Sequence, residues 1–280
     1  LQNILQFHLN DANKDALLDA DLIRLAFANE QGVFNNKSKL YEDALMSIEA
    51  NYPGNPYAAQ AMYLRAQEYM ERGSAFHPLT EKENQYELKK AKELCEGAIY
   101  KFPKTEGALL CKNLLAQINQ PSLNLETEKV NIPGQAFRSL VKYKNVSTLY
   151  LRVIKTNREE LKAIEGTGYD KIWPALIKLP TLKSWTVTLP DLKDYQQHST
   201  EIKIDALPAG TYMILASLRP DFDLGNNIIT RQVTYVSNIS YLFNNKKELY
   251  VLNRNSGQPL ASAEVQLWEQ KYDYNSRKQE

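Results

Sequence analysis

Reactive side chains are scarce in this sequence. Among 280 residues there are two cysteines, three histidines and four methionines. Cys95 and Cys111 form no Cys-x-x-Cys pair, and with His8, His77 and His198 scattered they make no common zinc site. There is no G-x-x-x-x-G-K to cradle phosphate, no G-x-S-x-G nucleophile turn and no H-E-x-x-H. No apolar run approaches the roughly 18 residues that span a bilayer. No charge excess exists either: 34 Lys and Arg stand against 33 Asp and Glu, a net charge of +1. That speaks against a dedicated nucleic-acid binder, which shows a basic excess. No Met opens the chain and no charged-then-apolar leader follows Leu1, which says little about targeting because such segments are removed on processing.

What is present describes architecture. Hydrophobic residues make up 43% and charged residues 24%, enough to bury a core, and the length favours two domains. Seventeen tyrosines and three tryptophans suit β-sandwich faces and helix-repeat interfaces equally. The composition changes at Asn119-Gln120-Pro121-Ser122, a polar segment whose proline ends a helix.

Before that point the pattern is helical. Asp11 or Asn13 caps a helix through about Asn29, with Leu17, Leu18, Leu22, Leu25 and Phe27 as its apolar face. A second helix is expected over Lys37 to Asn51. Then a repeat appears. Tyr52-Pro53-Gly54-Asn55-Pro56-Tyr57-Ala58-Ala59-Gln60-Ala61 is echoed by Phe102-Pro103-Lys104-Thr105-Glu106-Gly107-Ala108-Leu109, and Tyr41 to Ala50 matches Ala91 to Tyr100 in the same register. Each unit ends a helix at an aromatic-Pro pair, because proline cannot continue a helix and restricts the residue before it. A polar residue then caps the next helix, where Ala58, Ala61 and Ala66 permit close packing and Leu64 and Tyr69 fill gaps. Gly73 is the expected C-cap. Residues 38–118 resemble tetratricopeptide repeats in the variant with a YP-x-S/N-P-x-A turn found in bacterial envelope lipoproteins, with Ser74 to Gln85 as an insertion.

After that point strands are expected at Phe137–Tyr143, Leu149–Ile154, Ser184–Leu189, Thr200–Ile204, Thr211–Ser217 and Ile228–Val236. These are period-two runs between turns, as in an antiparallel sandwich. Asn157 to Ile164 reads as helix. Leu207-Pro208-Ala209-Gly210-Thr211-Tyr212 is a turn feeding a strand. From about Asn238 a new unit begins, with Lys247–Leu252 as a strand, Asn255–Leu260 as a turn and Ala263–Trp268 as the returning strand. With about 43 residues left against the roughly 100 of a sandwich domain, the chain reads as part of something longer.

The runs Leu207-Pro208-Ala209-Gly210-Thr211-Tyr212 and Leu249-Tyr250-Val251-Leu252-Asn253-Arg254-Asn255-Ser256-Gly257-Gln258-Pro259-Leu260-Ala261-Ser262-Ala263-Glu264-Val265 resemble the strand closing one macroglobulin domain and the G-x-P-x-x-x-A-x-V turn of the next. They are similar to those of bacterial, Bacteroidetes-type, alpha-2-macroglobulins. Ser256 stands where the family usually has Thr and Ser262 where it often has Gly. The turn assigns shape to Gly257 and Pro259 and a close backbone approach to Ala263. The resemblance covers about residues 123–280. It implies a multidomain α and β chain: a tetratricopeptide-like helical domain at 1–120, a macroglobulin (immunoglobulin-like) β-sandwich at 123–236 and the start of a second at 238–280. It also implies an N-terminal scaffold of a periplasmic or outer-membrane-anchored envelope protein. That protein would inhibit endopeptidases by trapping, meeting peptidases through downstream regions and the membrane only through a lipid anchor outside this stretch. The thioester motif C-x-E-Q of that family is absent, since Cys95 precedes Glu96-Gly97 and Cys111 precedes Lys112-Asn113.

No catalytic, cofactor-binding or metal residue is therefore assigned, and no enzyme is expected. Cys95 and Cys111 fall on adjacent helices, as a disulfide or as two buried thiols. Asp221-Phe222-Asp223-Leu224-Gly225-Asn226 has the glycine one position early for a calcium loop and no distal Glu, and reads as a solvated hairpin loop. Glu159-Glu160 point apart on a helix, unlike a glycosidase pair. Lys89-Lys90-Ala91-Lys92 alternates with Glu87 and Glu93 as a charged helix face. Trp173, Trp185 and Trp268 are weighed as a sugar platform, with Trp185 better suited to the core. The concave face of the helices is a surface for an envelope protein partner. The alternative function is a non-inhibitory envelope module binding a glycan or a partner protein.

Overall fold

The computed structural model describes residues 1–80, 82–244, 248–266, 272–273 and 278–279. Helices come first, at α1 (Gln2–His8), α2 (Asp15–Gln31), α3 (Lys37–Asn51), α4 (Pro56–Ser74), α5 (Glu87–Lys101) and α6 (Glu106–Asn119). Strands follow at β1 (Ser122–Thr127), β2 (Val130–Asn131), β3 (Phe137–Lys144) and β4 (Thr148–Thr156). After α7 (Arg158–Glu165) and α8 (Tyr169–Lys178) come β5 (Thr181–Thr188), β6 (His198–Ile204), β7 (Gly210–Ser217) and β8 (Ile229–Val236). The last strands are β9 (Ile239–Asn244), β10 (Glu248–Asn253), β11 (Tyr272–Asp273) and β12 (Lys278–Gln279). The chain is thus a mixture of α-helices and antiparallel and mixed sheets.

Helices α3 and α5 begin and end at positions 50 apart, and so do the starts of α4 and α6. The turns between them are built alike. Tyr52 N–H donates to Ile48 O at 3.0 Å, as Phe102 N–H donates to Ala98 O at 2.9 Å. Asn55 then caps α4 by accepting from Tyr57 N–H at 2.9 Å, and Thr105 caps α6 by accepting from Ala108 N–H at 3.3 Å. Ala58, Ala61 and Ala66 are buried as small spacers. Gly107 marks a close approach, since a Cβ there would lie 2.4 Å from the Ala59 carbonyl carbon. Gly73 is not a C-cap. The helix runs on to Ser74, and Gly73 packs within it against Leu88. Helix α2 begins after Asn13, whose side chain accepts from Asp15 N–H, while Asp11 is engaged by His8. Phe27 lies outside its apolar face: it is 59% exposed, and Leu18, Leu22 and Leu25 do the packing on Tyr41, Leu45 and Ile48.

Two sheets share one core. The three-stranded sheet has the order β1-β3-β6 and the five-stranded sheet β2-β8-β7-β4-β5. Leu125, Val141, Tyr143, Ile202 and Ile204 of the first meet Leu149, Leu151, Val153, Tyr212 and Ile214 of the second. The opposite face of the five-stranded sheet is covered by α7 and α8. Ile154, Met213 and Leu215 pack there against Leu161, Trp173 and Leu176. This second cover corrects the reading of β7 as alternating. Tyr212 to Ser217 are all buried because β7 is central and sheltered on both faces. The sheet is also not purely antiparallel, since β2 pairs with β8 in parallel.

Strands β9 and β10 form an antiparallel hairpin with Ser240 opposite Leu252. Gly257, at φ +68°, turns the chain so that Asn253 N–H donates to Gln258 O and Leu260 N–H to Val251 O. Return pairing thus occurs at Pro259 and Leu260. Residues 263–266 are not in a strand and Ala263 is exposed, with no facing sheet among the described residues. Leu267 and Trp268 lie outside the described residues, as does Lys247.

Candidate functional site

The most heavily tied region is the joint between the helices and the sheets. After β5 the chain does not turn directly into β6. Residues 190–197 instead reach across to the helices. Asp194, 1% exposed, accepts from Gln85 Nε2 at 2.9 Å, His198 Nε2 at 2.8 Å and Gln196 N–H at 3.0 Å. Burial opposes its charge, but these donors outweigh burial and hold the carboxyl below its ordinary range. Gln196 donates to Gly73 O at 2.9 Å. Tyr195 packs on the α4–α5–α6 cluster, with Lys92 Nζ 5.6 Å from its ring centre. Lys193 and Tyr195 take φ of 57° and 61°, the left-handed region that costs a side-chain-bearing residue about 1–2 kcal/mol. The hydrogen bonds of Asp194 and Gln196 hold this backbone in place. Nearby, Asn145 Nδ2 donates to Ile118 O at 2.7 Å and pins the end of α6 to the β3–β4 turn.

A second constellation binds the helices to one another. Tyr69 donates its hydroxyl to Glu42, Arg72 lies 4.7 Å over the Tyr69 ring, and Arg72 also pairs with Glu42 and Glu87. Glu87 is buried, yet Lys90 and Arg72 outweigh that burial and keep its carboxyl below the usual range. Arg65 contacts both oxygens of Glu49 at 2.8 Å, but burial dominates there and raises the Glu49 carboxyl. Burial likewise pushes the Tyr41 hydroxyl up to about 12, with Glu68 and Glu30 adding to it. The cluster's charges are turned on each other, an arrangement that fixes helix positions.

A third joint links the two β units. Only Ser237 and Asn238 separate β8 from β9. Arg254 reaches back to donate to Val130 O at 2.6 Å, and Ser237 N–H donates to Asn131 O at 2.9 Å. Asn131 is itself buried and donates to Thr234 Oγ1 at 2.8 Å. Beside this joint lies a cleft of about 410 Å³ walled by Glu126, Glu128, Phe137, Arg138 and Arg254.

The residues singled out by sequence do not converge. His8 pairs with Asp11 and His198 with Asp194, far apart in the fold, and His77 sits in the α4–α5 loop. Trp185 packs toward the core between the sheets, while Trp173 belongs to α8 and packs on the opposite face of the five-stranded sheet, so these two share no platform. Asp221 is occupied by Arg219 and Asp223 N–H, and Asp223 by Gly225 N–H. Glu160 accepts from Thr156 Oγ1 while Glu159 points to solvent. Lys89, Lys90 and Lys92 pair with Glu93, Glu87 and Glu96. Cys95 and Cys111 are buried free thiols. Among the described residues no group of three His, Cys, Asp or Glu is placed to hold a metal ion, and no helix is long and apolar enough to cross a membrane. Sequence reading missed Gln85, Asp194, Gln196 and Arg254. Gln85 and Asp194 lie 109 positions apart, and no local pattern joins them.

No family model matches the chain, and no curated protein matches it. Solved structures share partial likeness. One is a native alpha-2-macroglobulin from Escherichia coli spanning domains MG0-NIE-MG1, at 12% identity and a TM-score of 0.36 over 49% of this chain. The match spans about half, 47%, of that fragment. Another is the CARDB domain of a Pyrococcus furiosus protein in complex with di-metal ions, at 15% identity and a TM-score of 0.24, covering 42% of this chain and 88% of that one. At these values only parts superpose, so function is argued from this chain's own residues.

Proposed function

We propose that the chain is a scaffold segment of an alpha-2-macroglobulin-like envelope protein, in which a helical repeat of tetratricopeptide type carries macroglobulin-like β-sandwiches. The observation that carries this reading is that both junctions are braced. Gln120 and Pro121 alone separate α6 from β1, Ser237 and Asn238 alone separate β8 from β9, and each joint is cross-tied by buried or hydrogen-bonded side chains. Units that act independently are separated by polar, flexible linkers with few crossing contacts. Short, cross-tied joints instead transmit position from one unit to the next, as a scaffold must. The Leu207–Tyr212 turn adds support, since the buried Tyr212 ring donates its hydroxyl to Pro208 O at 3.0 Å and locks the entry to β7. On this reading the setting is the bacterial periplasm or outer membrane, the chain itself performs no catalysis, and peptidases are met by other parts of the protein.

The test uses the whole protein with a panel of endopeptidases, following a large protein substrate beside a small chromogenic peptide. Loss of the first activity with the second retained is the expected result of steric trapping. Equal activity on both would overturn the inhibitory reading and favour a binding module for a glycan or partner protein. One observation speaks for that second reading: an open cleft of about 560 Å³ between α1, α2 and α3, walled by Leu5, Leu9, Leu17 and Tyr52.

A further inference from the structure

The two helical hairpins repeat at a shift of 50 residues, so each serves as a reference for the other. Where α3–α4 places Leu45 and Ala61 in its apolar cluster, α5–α6 places Cys95, and α6 contributes Cys111 at the position matching Ala61. All four side chains are 0% exposed. Pro103 lies midway in sequence between the two cysteines, so they sit at equal height on the two arms of an antiparallel hairpin. Both belong to one buried cluster with Ala66, Ala91 and Ala98, small residues that let the helices approach. A large-and-small apolar pair in one hairpin is thus replaced by a pair of buried cysteines in the other.

We propose that Cys95 and Cys111 are a redox pair, closed by a small-molecule disulfide of the glutathione class into a covalent link between α5 and α6. The link fastens the hairpin on which Tyr195 packs, beside Lys92 of α5, and it stands independently of the trapping reading. The thiolate is the attacking species in exchange. The Cys111 thiol and burial together push the Cys95 thiol up, and neither sulfur is exposed, so the folded hairpin reacts slowly and closure occurs as the hairpin forms or opens. In that step the Cys111 thiolate attacks one sulfur of the reagent, whose S–S bond breaks. One glutathione leaves as thiolate and takes up the proton. The Cys95 thiolate then attacks Cys111 Sγ in the mixed disulfide and displaces the second glutathione. Two protein thiols lose two electrons and two protons, and the reagent gains them.

The experiment refolds the full chain in oxidised glutathione, alkylates under denaturing conditions and measures intact mass. The expected product is unalkylated, monomeric and lighter by two hydrogens, with a higher urea midpoint that falls again on adding reductant. In Cys95→Ser the resolving thiol is gone, and a glutathione adduct at Cys111 accumulates. The double variant Cys95→Leu/Cys111→Ala writes the first hairpin's pair into the second, folds, and shows no redox dependence of its midpoint. Two alkylated thiols under conditions that oxidise a free cysteine peptide would overturn the proposal. So would disulfide-linked dimers as the main product, or a redox-dependent midpoint in the double variant.

Discussion

The two hairpins share a backbone plan and differ in how they fill it. In α3 the buried positions are Tyr41, Leu45 and Ile48; the positions fifty residues later in α5 are Ala91, Cys95 and Ala98, and α5 buries Glu87 and Leu88 besides. The first hairpin fills its own interior with large side chains and closes on α2. In the second, α5 turns small residues inward, and the volume is completed by Leu114 and Ile118 of α6, by Met62 and Met70 of α4 and by Tyr195 from the loop after β5. A repeat in sequence thus repeats the turn and the caps, while the residues at equivalent inward positions decide which neighbour each hairpin accepts. The small-residue hairpin is the one that carries the sheets.

The largest test of that contrast is truncation of its most buried side chains. Leu45→Ala should cost about 2–5 kcal/mol, because it removes transfer energy and leaves a cavity. Cys95→Ala in the second hairpin removes only one sulfur and should cost markedly less. Urea unfolding of both variants measures the difference, and equal losses would mean the two interiors are packed alike. Next comes the joint. Asp194→Ala strands the donors of Gln85 and His198 and should cost about 1–3 kcal/mol. The pH dependence has a definite sign. The Asp194 carboxyl is held below its ordinary value, so its contribution is complete above about pH 4, the unfolded carboxylate range, and is lost as pH falls through the lowered folded value. Urea midpoints across acid pH should fall less steeply for Asp194→Asn than for the parent chain.

Position 107 sharpens the comparison further. The first hairpin has Tyr57 at the equivalent place, while the second has Gly107 pressed on the Ala59 backbone. Gly107→Ala should therefore cost about 1–3 kcal/mol through overpacking, although alanine favours helices generally. A neutral result would show that α4 and α6 can move apart freely. The smallest effect concerns what the hairpins have in common. Asn55→Ala and Thr105→Ala should each cost about 1 kcal/mol through the lost N-cap acceptor, with Asn55→Ala the larger because Asn55 Nδ2 also donates to Asp15 Oδ1 at 2.7 Å. Equal losses in thermal denaturation would mean that the Asn55–Asp15 bond adds nothing to the first turn.

Much of this was legible locally. The aromatic-Pro turn, the polar cap two or three residues later and the shift of 50 are all short-range signals, and the helices form where those signals put them. The runs at Phe137, Leu149 and Ile228 announced strands by alternation. Asn157 was recognisable as the start of α7, and its side chain accepts from Glu160 N–H. What escaped were elements whose environment is set at a distance. Strand β2 is two residues long and exists because Val130 meets Tyr235. Helix α8 contains Pro174 and reads poorly as helix, yet its apolar face is needed over Met213 and Leu215. Phe27 looked like core by spacing and is exposed because α3 and α4 cover only the Leu18–Leu25 side of α2.

By itself the sequence determined helices α2 to α6, the strands β3 to β8, the position of the break at Pro121 and the two capped turns, since these depend on backbone preferences within a few residues. Tertiary structure alone decided that Asp194 would be a buried acceptor, that Gln85 and Gln196 would tie two units together, and that Arg254 would reach back to Val130. Each of those contacts joins groups that chain proximity does not bring together. Burial and hydrogen-bond demand select them only once the elements have packed, because a buried polar group must find its partner wherever the fold places one.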